Sequence, residues 1–554
     1  MTESLTIALA QLNPTVGDIE GNIGMVRKAR AQAAAGGADL VVYSELIVTG
    51  YPPEDLVLKP MFQEATRRAL EDLAKDTADG GPAMLLGVPW REGSKLHNAA
   101  LLLEGGAIAA TRSKYDLPNY GVFDEKRVFA PGPLPGPIPF RGARLGVMVC
   151  EDMWAGEVTE CLDECGAEIL IVINSSPFEL DKVDERLSLA VARVTEANLP
   201  LIYVNQVGGQ DELVFDGASF VLGADRSLSA QAPSWSEDLL LTGWRKDGRE
   251  RWICDVTKRI APPEGFEAIY SALVLGLHDY VDKNYFPGVL IGLSGGVDSA
   301  LSAAIAADAL GPERVRSVMM PSRYTSRQSL DDAAETARLL GVRLDTVPIE
   351  PAVDAFDGML KELFLQHAPD TTEENIQARI RGLILMAVSN KFGHMVLSTG
   401  NKSEMSIGYA TLYGDMCGGF SVLKDVYKTM VYALCRWRNQ NRPANAKGPA
   451  GRVIPESVLD KAPSAELKAD QTDQDTLPPY EVLDDILHGL IEEELALEEI
   501  VKRGHPRETV ARVWRMLDVA EYKRRQAPPG IKITRRSFGR DRRYPITNAF
   551  KGFE

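Results

Sequence analysis

Three residues in the first half of the chain have side chains suited to breaking an amide bond: Glu45, Lys114 and Cys150. They follow the apolar or strand-like runs DLVVYS, AIAATRS and RLGVMV, at strand ends or just beyond them. Amide hydrolysis needs a nucleophile, a base for its proton and positive charge at the developing oxyanion. Cys150, Glu45 and Lys114 supply these in turn, although each residue taken singly also has a structural explanation.

A second chemical set lies in the turn SGGVDS at 294–299, between the apolar run VLIGL and a helix that begins at Ala300. Glycines let backbone N–H groups approach phosphate, hydroxyls add donors, and a helix N-terminus adds partial positive charge. No lysine precedes Ser299, so this is not a Walker-type loop. The turn therefore predicts an anion cradle of a different kind.

The elements around these residues differ between the two halves of the chain. Residues 1–256 alternate many short apolar runs with helical stretches, which predicts a layered α/β domain. KRIAPPEG breaks this rhythm, so we place a linker at 257–267. In residues 268–554 strands alternate with helices, which predicts a doubly wound parallel sheet with ligands at the carboxyl ends of its strands.

Composition narrows the class of protein. The chain is 45% apolar and 25% charged, as in soluble globular proteins, and no run is long enough to span a membrane. The N-terminus lacks the pattern of a signal peptide, so a cytoplasmic enzyme is expected. A net charge of −17 argues against nucleic acid as a partner. The basic residues near the C-terminus suit either an anionic small molecule or a solvated tail.

The six cysteines are too sparse for a disulfide framework and are expected to be thiols in a reducing compartment. Cys161 and Cys165 are spaced i, i+4 and could face one metal ion. No companion Cys or His pair is near them in sequence, so we interpret them as helix packing.

The segments SELIVTGYP, SKYDLPNYGVFDEKRVF and VMVCEDMW resemble the three catalytic segments of the nitrilase (carbon–nitrogen hydrolase) superfamily. The resemblance implies an α-β-β-α sandwich with Glu45, Lys114 and Cys150 as the catalytic triad and Glu125 as a second carboxylate that orients it. Similarity to glutaminase members implies that glutamine is bound by Tyr120, Ser176 and Lys182, each of which could instead be structural.

The turn at 294–299 resembles the SGGxDS signature of the ATP pyrophosphatases, whose fold is like that of the adenine nucleotide alpha hydrolases. Such enzymes cleave ATP between its α and β phosphates, and Mg²⁺ bridging phosphates takes carboxylate ligands, here Asp298 and Glu404. Thr399 either contacts ATP or caps a helix. The resemblance assigns these residues to ATP: Gly292, Leu293, Ser294, Gly295, Gly296, Val297, Asp298, Ser299 and Thr399.

The two parts together resemble the family of glutamine-dependent NAD⁺ synthetases, as do the segments ENIQARIRG, LSTGNKSE and TLYGDMCGGFSVLKDVYKT. The resemblance implies that ATP adenylylates deamido-NAD⁺ and that ammonia from glutamine gives NAD⁺, AMP and pyrophosphate. It also implies a homo-oligomer. The dinucleotide contacts it implies are Asn375, Glu404, Asp415 and Lys523, with Lys428 a further candidate.

Three other functions remain open at this point. A different ATP-pyrophosphatase amidotransferase would amidate another acid, an amidase could carry a degenerate nucleotide domain as a binding module, and the chain could be an interaction protein.

Ammonia becomes ammonium in neutral water and is then no longer a nucleophile. A chain that both releases and uses ammonia is therefore also expected to have a sheltered route from Cys150 towards the 292–299 turn. The segment 440–475 has no assigned function, and its PANAKGPAGR and KADQTDQDTLPP stretches are expected to be mobile loops.

Overall fold

The structure is a computed structural model that describes residues 4–469, 471–550 and 552. Position 470 of the predicted loop KADQTDQDTLPP lies outside the described residues. The chain divides into two compact units, Met1–Pro263 and Glu264–Glu554. Among the described residues, no helix combines the length and the apolar character needed to cross a bilayer.

The described part of the first unit contains two main sheets, in the orders β15-β14-β1-β2-β3-β4-β5 and β13-β12-β9-β8-β7-β6, and a hairpin of β10 and β11. The strands are β1 Ser4–Gln11, β2 Leu40–Tyr43, β3 Ala83–Glu92, β4 Lys95–Glu104, β5 Ala107–Ser113, β6 Ile138–Phe140, β7 Ala143–Val149, β8 Ile169–Asn174, β9 Leu201–Asn205, β10 Val207–Gln210, β11 Leu213–Asp216, β12 Phe220–Leu222, β13 Leu228–Gln231, β14 Asp238–Lys246 and β15 Trp252–Cys254.

Helices α1 Ile19–Ala35 and α2 Pro60–Asp76 cover the outer face of the first sheet, and α4 Glu157–Glu164 and α5 Lys182–Ala197 cover that of the second. The short helix α3 Glu125–Val128 packs instead in a cluster with Leu46 and Tyr51. Alternate residues of a strand face opposite ways, so Ile7 joins Val147 in the core between the sheets, while Ala8 packs in the cluster under α1 and α2. A third cluster fills the space under α4 and α5. The predicted α-β-β-α sandwich is confirmed.

The second unit is built on one parallel sheet in the order β18-β17-β16-β19-β20. Its strands are β16 Val289–Gly292, β17 Val315–Met319, β18 Arg343–Thr346, β19 Met395–Ser398 and β20 Phe420–Ser421. The chain winds outward from β16 to β18 and then returns to add β19 on the other side. Because crossovers between parallel strands are almost always right-handed, this change of direction places helices on both faces, which confirms the doubly wound prediction. The direction of winding changes at β16, the usual ligand position in such sheets.

The helices of this unit are α6 Gly265–Lys283, α7 Val297–Leu310, α8 Arg327–Leu340, α9 Glu350–Leu360, α10 Thr371–Phe392, α11 Lys402–Ile407, α12 Lys428–Gln440, α13 Glu456–Asp460, α14 Tyr480–Ile491, α15 Leu497–Val501, α16 Arg507–Val519 and α17 Glu521–Arg524. A separate core unites residues of α11, α14, α15 and α16. The sequence did not predict this helical layer, which holds α11 and hence Glu404 beside the sheet.

Candidate active sites

Glu45 and Lys114 form a fully buried ion pair in the first unit, with 2.8 Å between Lys114 Nζ and Glu45 Oε1. Glu45 follows β2 and Lys114 follows β5, so the sheet brings together two residues far apart in the chain. Burial by itself lowers the pKa of Lys114, but Glu125 and Glu45 outweigh it and hold that pKa well above its usual value. Lys114 is therefore charged in the resting site.

Cys150 lies directly after β7 at the start of a short 3-10 helix, Cys150–Met153. Its φ of 48° is a left-handed conformation that is strained for a residue with a Cβ. Burial and the nearby Glu45 carboxylate raise the pKa of the thiol well above its usual value, although Lys114 opposes them. Cys150 is therefore a neutral thiol in this site and would need a base to act as a nucleophile.

Glu125 joins the same group, since Lys114 Nζ lies 2.9 Å from its Oε1. Burial raises the pKa of Glu125 to about 7 against the opposing charge of Lys114. Two residues that the sequence interpretation missed also hold it: the Tyr51 hydroxyl donates to Oε1 at 3.0 Å, and the Asn98 amide lies 3.4 Å from Oε2. Neither residue type marks a site by itself, and only the contacts of each residue in the structure show its role.

The residues expected to bind glutamine have different surroundings. Tyr120 is 48% exposed, and its hydroxyl donates to both oxygens of Glu151 at 3.0 and 3.1 Å. The Lys182 ammonium is buried, 5.6 Å from the ring centres of Phe123 and Trp154, and its charge acts on Glu151. Glu151, which the sequence interpretation missed, thus connects Tyr120 and Lys182 to the adjacent residue Cys150.

Ser176 is buried in a turn held by Arg186, another residue that the sequence interpretation missed. Arg186 donates to Ser176 Oγ at 3.0 Å and to the backbone oxygens of Ser176 and Pro177 at 2.9 and 2.6 Å. It also forms a buried ion pair with Asp216 at 2.7 Å. The same turn presents the N–H of Ser175 to Glu45 Oε2 at 3.0 Å, so it supports both the base and the expected glutamine contact.

In the second unit, the turn between β16 and α7 forms one wall of a cavity of about 300 Å³. Gly295 has a φ of +81°, and a Cβ there would lie 2.2 Å from the backbone oxygen of Ser329. Only glycine fits here, because any other residue would be strained at this φ and its Cβ would clash with the Ser329 backbone. The sequence-predicted residues that line the cavity are Gly292, Leu293, Ser294, Gly295, Gly296, Val297, Asp298, Ser299, Thr399, Glu404, Asp415 and Lys428.

The two carboxylates expected to hold Mg²⁺ share one ammonium group. Lys428 Nζ lies 2.6 Å from Asp298 Oδ2 and 3.1 Å from Glu404 Oε1. Burial lowers the pKa of Lys428, but Asp298 and Glu404 more than compensate and raise it, while burial raises the pKa of Glu404 to about 7 despite Lys428. The two carboxylates thus lie close enough together to share a cation.

The donor set at this point fits Mg²⁺ bound together with a nucleotide. Mg²⁺ is usually held by one or two carboxylates plus phosphate oxygens and water. The described residues contain no cluster of three or more His, Cys, Asp or Glu side chains arranged for a metal, so phosphates and water would complete the shell. Lys428 would then pair with phosphate as well as with Asp298 and Glu404.

Two residues expected to touch the dinucleotide are absent from the cavity lining, as far as the described chain shows: Asn375 and Lys523. Asn375 Oδ1 accepts from the Thr411 hydroxyl at 2.9 Å. Lys523 Nζ donates to the backbone oxygens of Gly408 and Ala410 at 2.7 and 2.6 Å. Both therefore support the 408–411 segment, of which Thr411 reaches the cavity.

Asp415 is at the cavity wall, where the N–H of Thr411 donates to its Oδ1 at 2.6 Å. Solvent reaches this carboxyl, yet the protein that surrounds it raises its pKa through desolvation. Arg381, in the ENIQARIRG segment but not singled out from the sequence, is on the same wall and donates to the Met320 backbone oxygen at 3.1 Å. Its cationic side chain is thus also available to an anionic ligand.

The segment 440–475, which had no assigned function, contributes to the cavity wall through 461–467. Glu466 Oε1 accepts from the hydroxyls of Ser326 and Ser329 at 2.8 and 2.7 Å and from Lys461 Nζ at 2.9 Å. Ser326 caps α8, so the carboxylate lies at a helix N-terminus. This part of the segment is thus tied to the cavity at the 292–299 turn.

Each of the two units matches a known protein family. The carbon–nitrogen hydrolase family matches residues 6–252, and the NAD synthase family matches residues 269–527. The chain is thus a hydrolase unit fused to a nucleotide-using synthase unit. A Rhodobacter capsulatus protein described as a glutamine-dependent NAD(+) synthetase is 49% identical over 551 residues, which cover 100% of both chains. The chain belongs to the family of glutamine-dependent NAD(+) synthetases.

Solved structures agree with this assignment. The glutamine-dependent NAD⁺ synthetase of Acinetobacter baumannii, in complex with ADP, is 42% identical, with a TM-score of 0.79 over 98% of each chain. The Cytophaga hutchinsonii glutamine-dependent NAD(+) synthetase is 21% identical and has a TM-score of 0.83 over 99% of this chain and 98% of its own. The second likeness supports the fold alone.

Proposed function

We propose that the first unit releases ammonia from glutamine and that the second unit uses this ammonia, with ATP, to convert deamido-NAD⁺ to NAD⁺. The observation that carries the proposal is that one chain holds a buried Glu45–Lys114 pair beside Cys150 and a cavity lined by the 292–299 turn and Glu404. The first suits amide hydrolysis and the second suits nucleotide chemistry.

Glutamine hydrolysis begins with attack by Cys150 on the side-chain amide carbon while Glu45 accepts the thiol proton. Lys114 stays charged and stabilises the oxyanion, since its pKa is held well above neutrality. Collapse of the intermediate expels ammonia and leaves a thioester, which water then hydrolyses to glutamate. Glu125 accepts a second hydrogen bond from Lys114, and so helps to fix the direction in which the ammonium points.

The amino-acid end of glutamine is proposed to bind at the group formed by Tyr120, Glu151 and Lys182. A carboxylate suits the substrate α-ammonium and a lysine suits its α-carboxylate. Support comes from the hydrogen bonds of Tyr120 to Glu151 and from the charge of Lys182 acting on it. Ser176 adds a hydroxyl whose position is set by Arg186.

In the second unit, the 292–299 turn and Thr399 are proposed to bind ATP, and Asp298 and Glu404 to hold Mg²⁺. The metal ion would neutralise phosphate charge as pyrophosphate departs. Lys428 balances the two carboxylates, and Asp415, at the cavity wall, is proposed to contact deamido-NAD⁺. Asn375 and Lys523 are proposed to act on that substrate by holding the 408–411 segment.

The chain is proposed to form a homo-oligomer through an apolar surface on α9, the turn after it, and α10. Met359 and Leu363 are each 73% exposed, Leu383 is 66% exposed and Phe392 is 50% exposed. A contiguous patch of exposed apolar side chains is typical of an interface between proteins, and we propose that these four side chains form such a patch between copies. Light scattering on Leu383→Asp tests it, because a charge there should lower the oligomer mass.

The proposed location is the cytoplasm, where reducing conditions suit the free thiols of all six cysteines. Product analysis tests the function itself. The protein is incubated with glutamine, ATP, Mg²⁺ and, in separate reactions, deamido-NAD⁺, xanthylate or aspartate. NAD⁺, AMP and pyrophosphate should form in equal amounts in the reaction that contains deamido-NAD⁺, and the other two acids should give no product. Consumption of ATP only with another acid would contradict the proposed substrate.

A further inference from the structure

We propose that Asn98 is a positioning residue that determines which oxygen of Glu45 accepts the proton of Cys150. The inference rests on the proposed glutaminase function, because it concerns the same hydrolysis. It assigns Asn98 no direct contact with substrate.

Asn98 is a fully buried residue of β4 that links both carboxylates of the site. Its Nδ2 donates to Glu45 Oε1 at 2.7 Å and lies 3.4 Å from Glu125 Oε2. Its backbone oxygen accepts from the N–H of Lys114 at 2.8 Å. Because both carboxylates accept hydrogen bonds, the amide nitrogen and not the amide oxygen must face them.

The stability of the fold does not explain this amide. In the described protein Asn98 Oδ1 has no hydrogen-bond partner, and a buried acceptor without a partner costs stability. An apolar side chain would avoid that cost but would leave Glu45 without its second side-chain donor. The benefit of Asn98 therefore lies in the site and not in packing.

The donors around Glu45 distinguish its two oxygens. Oε1 accepts from the Lys114 ammonium at 2.8 Å and from Asn98 at 2.7 Å, whereas Oε2 accepts from the backbone N–H of Ser175 at 3.0 Å. Two side-chain donors, one of them charged, stabilise negative charge on Oε1 more than one backbone donor stabilises it on Oε2. Oε2 is therefore the more basic oxygen and the one that receives the proton.

The proton follows one path through this arrangement. The S–H bond of Cys150 breaks as Sγ attacks the amide carbon; the proton moves to Oε2, and the sulfur electron pair forms the C–S bond while the carbonyl π pair moves to oxygen. The proton then passes from Oε2 to the amide nitrogen, the C–N bond breaks with its pair on nitrogen, and ammonia leaves. Without Asn98, Oε1 loses one of its two side-chain donors, becomes more basic and competes with Oε2 for the proton.

The test compares Asn98→Ala and Asn98→Leu, which is similar in size to asparagine and has no donor, with the parent enzyme. We expect kcat for glutamine-dependent synthesis to fall about 10- to 100-fold, the range for a lost hydrogen bond to a charged group. KM for glutamine should change less than about 3-fold, because Asn98 does not bind substrate. Labelling of Cys150 by an electrophilic glutamine analogue should slow by the same factor as kcat. Ammonium-dependent synthesis should persist, which also shows that the chain is folded.

Asn22→Ala is the matched control, since Asn22 is a buried asparagine of α1 whose amide donates to the backbone oxygens of Thr15 and Val48. It should lower the melting temperature and leave the labelling rate of Cys150 within about 2-fold of the parent. Unchanged kcat and labelling in both Asn98 variants would overturn the inference, as would a rise in KM with kcat retained. If Cys150→Ala itself still used glutamine, the proposed function would fail instead.

Discussion

The ammonium of Lys428 lies 2.6 Å from the carboxylate of Asp298, at the position where the sequence predicts a metal ligand. It also reaches Glu404 at 3.1 Å, so it balances the charge of both groups. Removing it by Lys428→Met leaves two largely buried carboxylates without their counter-ion. We expect a loss of about 3 kcal/mol in unfolding free energy, measured by urea denaturation in the absence of ligands.

Lys428→Met also tests whether the ammonium assists phosphate. With both nitrogen sources, synthesis should fall about 10²-fold or more, because a positive charge at the departing phosphates is lost. Arg436→Met is the control, since Arg436 is an exposed cation of the same helix, α12, and its loss should change the rate less than about 2-fold. Synthesis at the parent rate in a folded Lys428→Met protein would assign the lysine to structure alone.

The Mg²⁺ assignment is tested with Asp298→Asn and Glu404→Gln, which preserve shape and remove charge. AMP formation should fall about 10²-fold with glutamine and with ammonium alike, and saturation should require more Mg²⁺. Rates are measured across a Mg²⁺ titration. A variant that keeps both the parent rate and the parent Mg²⁺ requirement is not a metal ligand.

Cys150→Ala should separate the two activities. Without the nucleophile, glutamine-dependent synthesis should fall roughly 10⁴-fold or more, while ammonium-dependent synthesis should stay within about 2-fold because the second unit is unchanged. NAD⁺ is quantified with each nitrogen source in turn. Cys435→Ala provides a control at another buried thiol. If ammonium-dependent synthesis also disappeared in folded protein, the proposed division of labour would be wrong.

Glu125 gives a prediction about pH, because burial raises its pKa to about 7 from a reference of 4.5. The folded state then binds a proton that the unfolded state has released, so this contribution to stability is present below pH 4.5 and is lost as pH rises through 7. Glu125→Gln removes that dependence. Relative to the variant, the parent should lose up to about 3 kcal/mol of unfolding free energy between pH 4.5 and 8.

Urea denaturation of both proteins at several pH values measures this difference, in which the pH effects of groups that do not interact with Glu125 cancel. Glu71→Gln, at an exposed glutamate of α2, is the control and should follow the parent at every pH. A parent and a Glu125→Gln variant with parallel pH profiles would show that Glu125 is ionised throughout the range.

Lys523→Met should raise KM for deamido-NAD⁺ more than KM for ATP. Its ammonium holds the backbone oxygens of Gly408 and Ala410, next to Thr411 in the cavity wall, so its loss should loosen one side of the cavity. Steady-state kinetics with each substrate varied in turn measure the two effects. A larger change in KM for ATP would place the 408–411 segment beside that substrate.

The sequence by itself determined many of the strands and helices and most of the reactive groups. Short apolar runs predict strands such as β1, in which Ile7 and Ala8 face opposite sides and are both buried. Likewise, the SGGVDS turn places a glycine at position 295, where φ is +81°. These features depend on neighbours within a few residues, and local sequence is enough to identify them.

Only the tertiary structure decided which groups complete each site. Asn98 is 53 residues from Glu45 in the chain, and Lys428 is 130 residues from Asp298. Hydrogen bonds depend on distance and direction in space, and no local pattern marks a partner that a distant strand or helix supplies. The same reason applies to Arg186 and Glu466, whose side chains are ordinary in sequence and acquire a role only where the fold places them.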